Sequence, residues 1–233
     1  MTPTRTSPTL IATSLIALAL AGAISAQGLP AATEFSDDPT AVVIAFGETE
    51  VTLEEFDAAF DRAARSTAIG QGMPVTDEVL AEFEAFKGPF LEQYATQLVL
   101  ADEAERRGLD PNDADVDAVI ASLRAEQADA AGFDAWLSDA GYRDEQALRA
   151  TVTLSLSVQA LVDAVAAEVA LEPGASRAWY DANPTAVTDE GGELVPFEAV
   201  EPQIEQLLVQ EAVEAEIDAL VARVDLELTP AGR

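Results

Sequence analysis

Residues 145–170, EQALRATVTLSLSVQALVDAVAAEVA, decide how the chain folds. Their middle alternates, with Val152, Leu154, Leu156 and Val158 set between Thr153, Ser155 and Ser157, as a half-buried strand does. The flanks argue the other way. Leu154, Val158, Leu161, Val165 and Val169 recur at helical spacing, no turn residue separates them from Leu148, and no partner strand lies nearby in sequence. Asp144 and Glu145 place acids at the start, where the positive end of a helix dipole favours them. The stretch is therefore expected to be one long helix, and the chain mainly α.

Working outward, the segments on either side read the same way. Phe133, Trp136 and Leu137 mark a short helix closed by Gly141, and Asn112 with Asp115 caps another whose apolar face is Val116, Val119, Ile120 and Leu123. Thr76-Asp77-Glu78 opens a longer region that Gly88-Pro89 must interrupt, because proline lacks the amide proton and clashes with the preceding turn. That region ends on Arg106 and Arg107, with Gly108 as the stop. Thr52 and Glu55 form a capping box ahead of Leu53, Phe56, Ala59, Phe60 and Ala63, and Gly70 and Gly72 close the helix. Before it, Ala41 to Phe46 and Thr49 to Thr52 read as a hairpin turned at Gly47-Glu48. Downstream, ASRAWYDA is a short helix stopped by Pro184. Phe197 starts a final long helix in which Val209, Val213, Ile217, Leu220 and Val224 recur at helical steps. Asp225 to Thr229 alternates like a terminal strand able to pair with Ala41 to Phe46.

The first 26 residues read as a secretory signal peptide: Arg5 is the lone charge, Leu10 to Ile24 is an uncharged apolar run, and small residues at Ala23, Ser25 and Ala26 offer a cleavage site. The rival reading, a retained membrane anchor, is disfavoured because the run is shorter than the roughly 18 to 20 residues a spanning helix needs. A periplasmic or otherwise extracytoplasmic location follows, with no stable membrane insertion after cleavage. Removing the segment takes one cation and no acid, which moves the formal charge from −31 to −32. A surface so acidic repels phosphate backbones and anionic headgroups, so nucleic acid is not an expected partner. A salt-adapted proteome would give the same acidity to every exported protein. The chain has no cysteine and no histidine, which removes disulfides, the usual zinc ligands and the usual general base. The acids Asp110, Asp113, Asp115 and Asp117 do not form a calcium loop: counted from Asp113, the sixth position is Ala118 instead of glycine and the twelfth is Arg124 instead of glutamate. No catalytic residue, metal site or cofactor is expected.

The order of these elements has a resemblance. The hairpin followed by TLEEF (52–56), then LADEAERRGLDPNDADVDAVIASLRAE (100–126), FDAWLSDAGYRDEQALRA (133–150) and SRAWYDANP (176–184), resembles the N-terminal helical module of SurA-like periplasmic chaperones. PrsA and trigger-factor-like proteins share parts of that architecture. The tail VPFEAVEPQIEQLLVQEAVEAEIDALVARVDLEL (195–228) is similar to the segment that completes the module in those proteins. The resemblance covers about residues 41–228. It implies a helical chaperone module at 41–184 and a completing helix and strand at 197–228; the signal peptide at 1–26, a flexible lead-in at 27–40, rich in Pro, Ser and Asp, and a tail at 229–233 lie outside it. In the family a parvulin-type peptidyl-prolyl isomerase domain usually sits between the equivalents of YDANP and VPFEAV; here only a polar link at 185–196 occupies that place. Parvulin sites are rich in His with Cys or Asp, so the resemblance implies the chaperone activity and withholds the isomerase.

The expected function is an ATP-independent holding chaperone whose partners are unfolded or nascent exported polypeptides. Met73, Phe83, Phe86 and Phe90 are the candidate client contacts, because they flank the interrupted, glycine-bordered region where a core stripe is least well defined. Against this stands the ordinary fate of aromatic residues at helical spacing, which is burial, and Trp136, Tyr142, Trp179 and Tyr180 are expected to be packing residues. Two alternatives are a non-catalytic envelope assembly factor with one dedicated partner and a carboxylate-based hydrolase. The second is disfavoured by an all-helical chain with few aromatics to stack on a sugar.

Overall fold

The computed structural model describes residues 33–188 and 192–231; the signal-peptide reading lies outside them. The described chain is mainly helical, with a three-stranded antiparallel sheet. By its internal contacts it divides into two units, one of described residues 33–158 with 224–231, the other of 159–188 with 192–223.

The first unit opens on strands β1 (Val42–Phe46) and β2 (Thr49–Thr52), joined through Gly47 at φ 53°, a left-handed conformation in which a Cβ would be strained. Register runs from Phe46 opposite Thr49 to Val42 opposite Thr52, with a bulge between Val42 and Ile44. The last strand, β3 (Glu227–Leu228), pairs antiparallel on the free side of β1, setting Leu228 opposite Ile44, so the sheet order is β2-β1-β3. The Thr229 amide extends the ladder by donating to the Val43 carbonyl at 3.0 Å. The expected pairing of the terminal strand with the first is thus present, and β1, whose Val43 and Ile44 are fully buried, is the centre of the sheet.

Helix α1 (Leu53–Gly70) starts on the expected capping box: Glu55 accepts from the Thr52 amide at 2.9 Å, and the Glu55 amide donates to the Thr52 hydroxyl at 3.3 Å. Its inner face buries Leu53, Phe56, Ala59, Phe60, Ala64 and Ala68; Ala63, expected on that face, is only half-buried, because the stripe drifts by a residue as 3.6 per turn requires. Helix α2 (Asp77–Phe83) is capped by Thr76, and α3 (Lys87–Arg106) follows after a single 3₁₀ turn, Glu84–Phe86. The interruption expected from Gly88-Pro89 lies one turn earlier, because Pro89 sits in the first turn of α3, where its missing N–H would have no helical partner anyway. Phe90 and Tyr94 of α3 stack at 5.8 Å, and Phe90 meets Phe56 at 5.8 Å and Phe60 at 5.5 Å, forming an aromatic core.

The lead-in is not free over residues 33–40. Phe35 stacks on Phe56 at 5.6 Å, and the Ser36 amide donates to the Pro230 carbonyl at 2.9 Å. One aromatic with a place to bury outweighs the polar, turn-forming composition around it. Lys87, the single lysine of the chain, secures this corner: its ammonium lies 4.8 Å from the Phe35 ring centroid and 2.7 Å from Asp57 Oδ1, and its side chain is 17% exposed. That Asp57 oxygen is shut off from solvent and no hydrogen bond aligns on it, so the attraction is one of charge.

Helices α4 (Asp113–Ala125), α5 (Ala130–Asp139) and α6 (Glu145–Glu168) carry a second core of Val116, Ile120, Phe133, Leu137, Leu148 and Val152. Asn112 caps α4 by accepting from the Asp115 amide at 3.0 Å, and Asp144 accepts from Ala147 at 2.8 Å at the start of α6. The alternating stretch is helical. Thr151 and Ser155 direct their hydroxyls back to the carbonyls of Ala147 and Thr151, which satisfies them within the helix. By length and composition α6 is apolar enough to cross a membrane, with a mean hydropathy of 1.5. Its Leu148 and Val152 are instead core residues, and Arg149 is ion-paired to Asp117 of α4.

The second unit holds the rest of α6, then α7 (Ala175–Ala182), a 3₁₀ turn at Pro184–Val187, and α8 (Phe197–Val221). Tyr180, Val187 and Ile204 form its core, flanked by Trp179, Phe197, Val200 and Leu208. Both described ends of the segment expected as a polar link, 185–188 and 192–196, pack with it: Thr188 bridges to Leu194, and Tyr180 donates its hydroxyl to the Val195 carbonyl at 2.7 Å. On α8, Ile204 and Leu220 are buried, while Val209, Val213 and Ile217 are half-buried.

Candidate functional site

A cleft of about 510 Å³ lies within the first unit, between the end of α1 and helix α5. One wall is Ile69 with the loop residues Gly72, Met73 and Val75; the other is Gly132, Ala135, Trp136 and Asp139, with Gln127 beside them. The recess is open to solvent along much of its extent.

Local sequence places both walls. At the end of α1 the Gln71 amide donates to Thr67, Gly72 to Ile69 and Met73 to Ala68, at 3.0, 3.0 and 2.8 Å, so the chain leaves the helix in a closed turn that delivers Met73 next to Ile69. Thr76 then starts α2, which keeps the loop short. On the opposite wall Asp129 caps α5 by accepting from the Gly132 amide at 2.9 Å. Phe133 and Leu137 anchor α5 in the core, and Trp136 rests on Phe133 at 5.8 Å and on Tyr142 at 6.2 Å. Gly141, at φ 79°, brings the end of α5 against α1: a Cβ there would lie 3.0 Å from Arg65 Cδ and Asp61 Oδ2. The spacing of the walls is set by that contact.

The lining is thioether, indole and aliphatic, with one amide and one carboxylate. Asp139 is exposed and no cation pairs with it among the described residues. The cations on the surrounding elements are engaged elsewhere: Arg65 with Asp61 at 2.7 Å, Arg124 with Glu145, Arg62 over the Tyr142 ring at 5.9 Å, and Arg143 with Asp144 at 3.3 Å. Burial raises the Tyr142 phenol above its ordinary value of 10.0, against the lowering effects of the Thr151 hydroxyl and of Arg62. Among the described residues no group of three or more His, Cys, Asp or Glu side chains is arranged to hold a metal ion. Chemically the arrangement sets a soft, adaptable thioether at Met73 opposite a rigid indole at Trp136.

The structure separates the four residues singled out from sequence. Met73 is half-buried in the cleft wall. Phe83 is half-buried at the end of α2, and Phe86, on the 3₁₀ turn, is 53% exposed; neither lines the cleft. Phe90 is 8% exposed and ringed by Phe56, Phe60 and Tyr94, which takes it out of any accessible surface, because three rings already occupy its faces and edge. Of the residues lining the cleft only Met73 was assigned to a site from sequence; Ile69, Val75, Trp136 and Asp139 are among those that sequence reasoning missed. A signal for Trp136 was present: Phe133, Leu137 and Ala140 complete a buried face by themselves, leaving the indole to lie beside that face.

Comparison with known protein families finds that residues 4–163 match the family described as SurA-like N-terminal domain. The match covers more than half of the chain, including all of α1 to α5 and most of α6. Neither the curated proteins nor the solved structures yield a match.

Proposed function

Because the chain belongs to the SurA-like N-terminal domain family, whose modules are non-catalytic and chaperone-like, we propose that it is an ATP-independent holding chaperone for unfolded exported polypeptides. Members of the family bind unfolded clients in general and are typically periplasmic, which fits the signal-peptide reading of residues 1–26. What supports the proposal is the cleft between Met73 and Trp136, an open recess of mixed lining in which a thioether, an indole and aliphatic side chains stand beside one amide and one carboxylate. An extended client segment inserts an apolar side chain between the thioether and the indole. The affinity is modest because the recess is shallow and the client must be ordered on binding. Flexible methionine on one wall accepts side chains of different shape. Phe86, exposed on the turn ahead of α3, is a second contact in this reading, together with the half-buried Phe83. The high negative charge keeps loaded complexes apart and soluble. In the same reading, segment 185–196 stands where relatives carry an isomerase domain, and the chain holds clients without isomerising their prolines.

Aggregation of a chemically unfolded outer-envelope protein, followed by light scattering, tests this directly. The full mature chain is expected to suppress scattering where an inert acidic protein of similar size does not. Met73→Asp weakens the suppression with its thermal unfolding unchanged, because Met73 contributes a side chain to the wall and only its backbone to the fold. Equal scattering with the chain and with the inert control would end the proposal.

A further inference from the structure

We propose that the Met73–Trp136 cleft selects cationic client segments, in which a large apolar residue is followed two positions later by lysine or arginine. The inference rests on the holding-chaperone reading and adds the chemistry of what is held.

Three observations carry it. The cleft lining contains one ionised group, the Asp139 carboxylate, and no lysine or arginine. That carboxylate is exposed and has no cation among the described residues, whereas the guanidiniums on the surrounding elements are engaged elsewhere: Arg65 with Asp61, Arg124 with Glu145, Arg62 over the Tyr142 ring, and Arg143, on the loop after α5 and largely exposed, with Asp144. The surroundings carry the same sign: α5 bears Asp134 and Asp139 with no base, α2 opens with Asp77 and Glu78 as the chain leaves the Met73 loop, and the net charge is −31. An apolar side chain seated between Met73 and Trp136 therefore brings its chain neighbours up to an unpaired carboxylate.

Geometry permits the pairing. In an extended segment, alternate side chains leave the same face about 7 Å apart, and a lysine or arginine stem spans the remaining distance while its head stays in water. An acidic neighbour at the same position meets Asp139 and the surrounding field with like charge. The cleft thus discriminates by repulsion as well as attraction.

The test uses the full mature chain and three fluorescently labelled, end-blocked octapeptides that share a central Phe and differ at the positions two residues to either side of it, which are Lys, Gln or Glu. Binding is read by anisotropy at low and high salt. The Lys peptide is expected to bind about two- to fivefold more tightly than the Gln peptide at low ionic strength, the range of one exposed ion pair, with the gap closing near 0.5 M salt. Asp139→Asn abolishes the Lys preference and leaves the Gln peptide's affinity in place; Asp134→Asn, on the same helix but outside the cleft wall, keeps the preference. Equal affinities for Lys and Gln peptides in the parent chain, or a preference that survives Asp139→Asn, overturns charge selection by this cleft. Failure of every peptide to bind also overturns it. Suppression of aggregation then decides whether the holding reading falls with it: if suppression persists, only the inference is lost.

Discussion

Gly141 shows how one residue positions a whole wall. Its φ of 79° is a conformation that costs an L-residue about 1–2 kcal/mol, and α1 occupies the space a Cβ would need. Gly141→Ala is therefore expected to lower stability by at least about 1 kcal/mol in urea unfolding and, under the proposed holding function, to weaken suppression of aggregation because α5 must back away from α1. Tyr94 and Tyr142 make a second residue-scale prediction. Burial is the largest influence on each and raises both phenols above the ordinary value of 10.0. The folded state then holds these protons more tightly than the unfolded chain does. Their contribution is complete below pH 10 and is lost as pH climbs through the raised values. Tyr94→Phe should shift the alkaline unfolding midpoint upward relative to the parent, with little change near neutrality. An unshifted midpoint would mean that the ring is solvated.

Among the elements, the caps were the most legible part of the chain. Thr52-Glu55, Thr76, Asn112 and Asp144 each sit at the helix starts their residue types announce, because a side-chain oxygen three residues before an orphan amide acts without help from the rest of the fold. Thr52→Ala is expected to cost about 1 kcal/mol and Thr52→Ser much less, by thermal unfolding. The alternating stretch in α6 was settled by its flanks for a related reason: Thr and Ser hydroxyls bond back within a helix, so polar spacing of two does not force a strand. What sequence could not give was accessibility. Phe90 and Phe86 flank the same break four residues apart, yet one enters an aromatic cluster and the other faces water. Only the packing of α1 against α3 separates them. The cleft was hidden for the same reason, since Ile69 and Trp136 stand 67 positions apart and their approach depends on the turn at Gly141.

At the scale of the whole molecule, the sheet ties together the two ends of the described chain. β3 and the residues after it belong to the first unit, although most of that unit precedes them by more than 65 residues. A chain ended at Arg223 loses the Thr229–Val43 and Ser36–Pro230 hydrogen bonds and exposes the edge of β1. It is expected to unfold with about 2–3 kcal/mol less stability, at roughly 1 kcal/mol per hydrogen bond plus the uncovered apolar edge, and to self-associate more readily. Unchanged unfolding would show that β3 is an ornament of the sheet. With no cysteine in the sequence, packing and these pairings stabilise the fold without covalent help. The corner at Lys87 has a practical consequence. Apart from the α-amino group, its ε-amine is the chain's one target for acylating reagents, and it is sheltered by Phe35 and Asp57. Its acylation rate, read by mass spectrometry, is a single-site clock for how often the folded body breathes open.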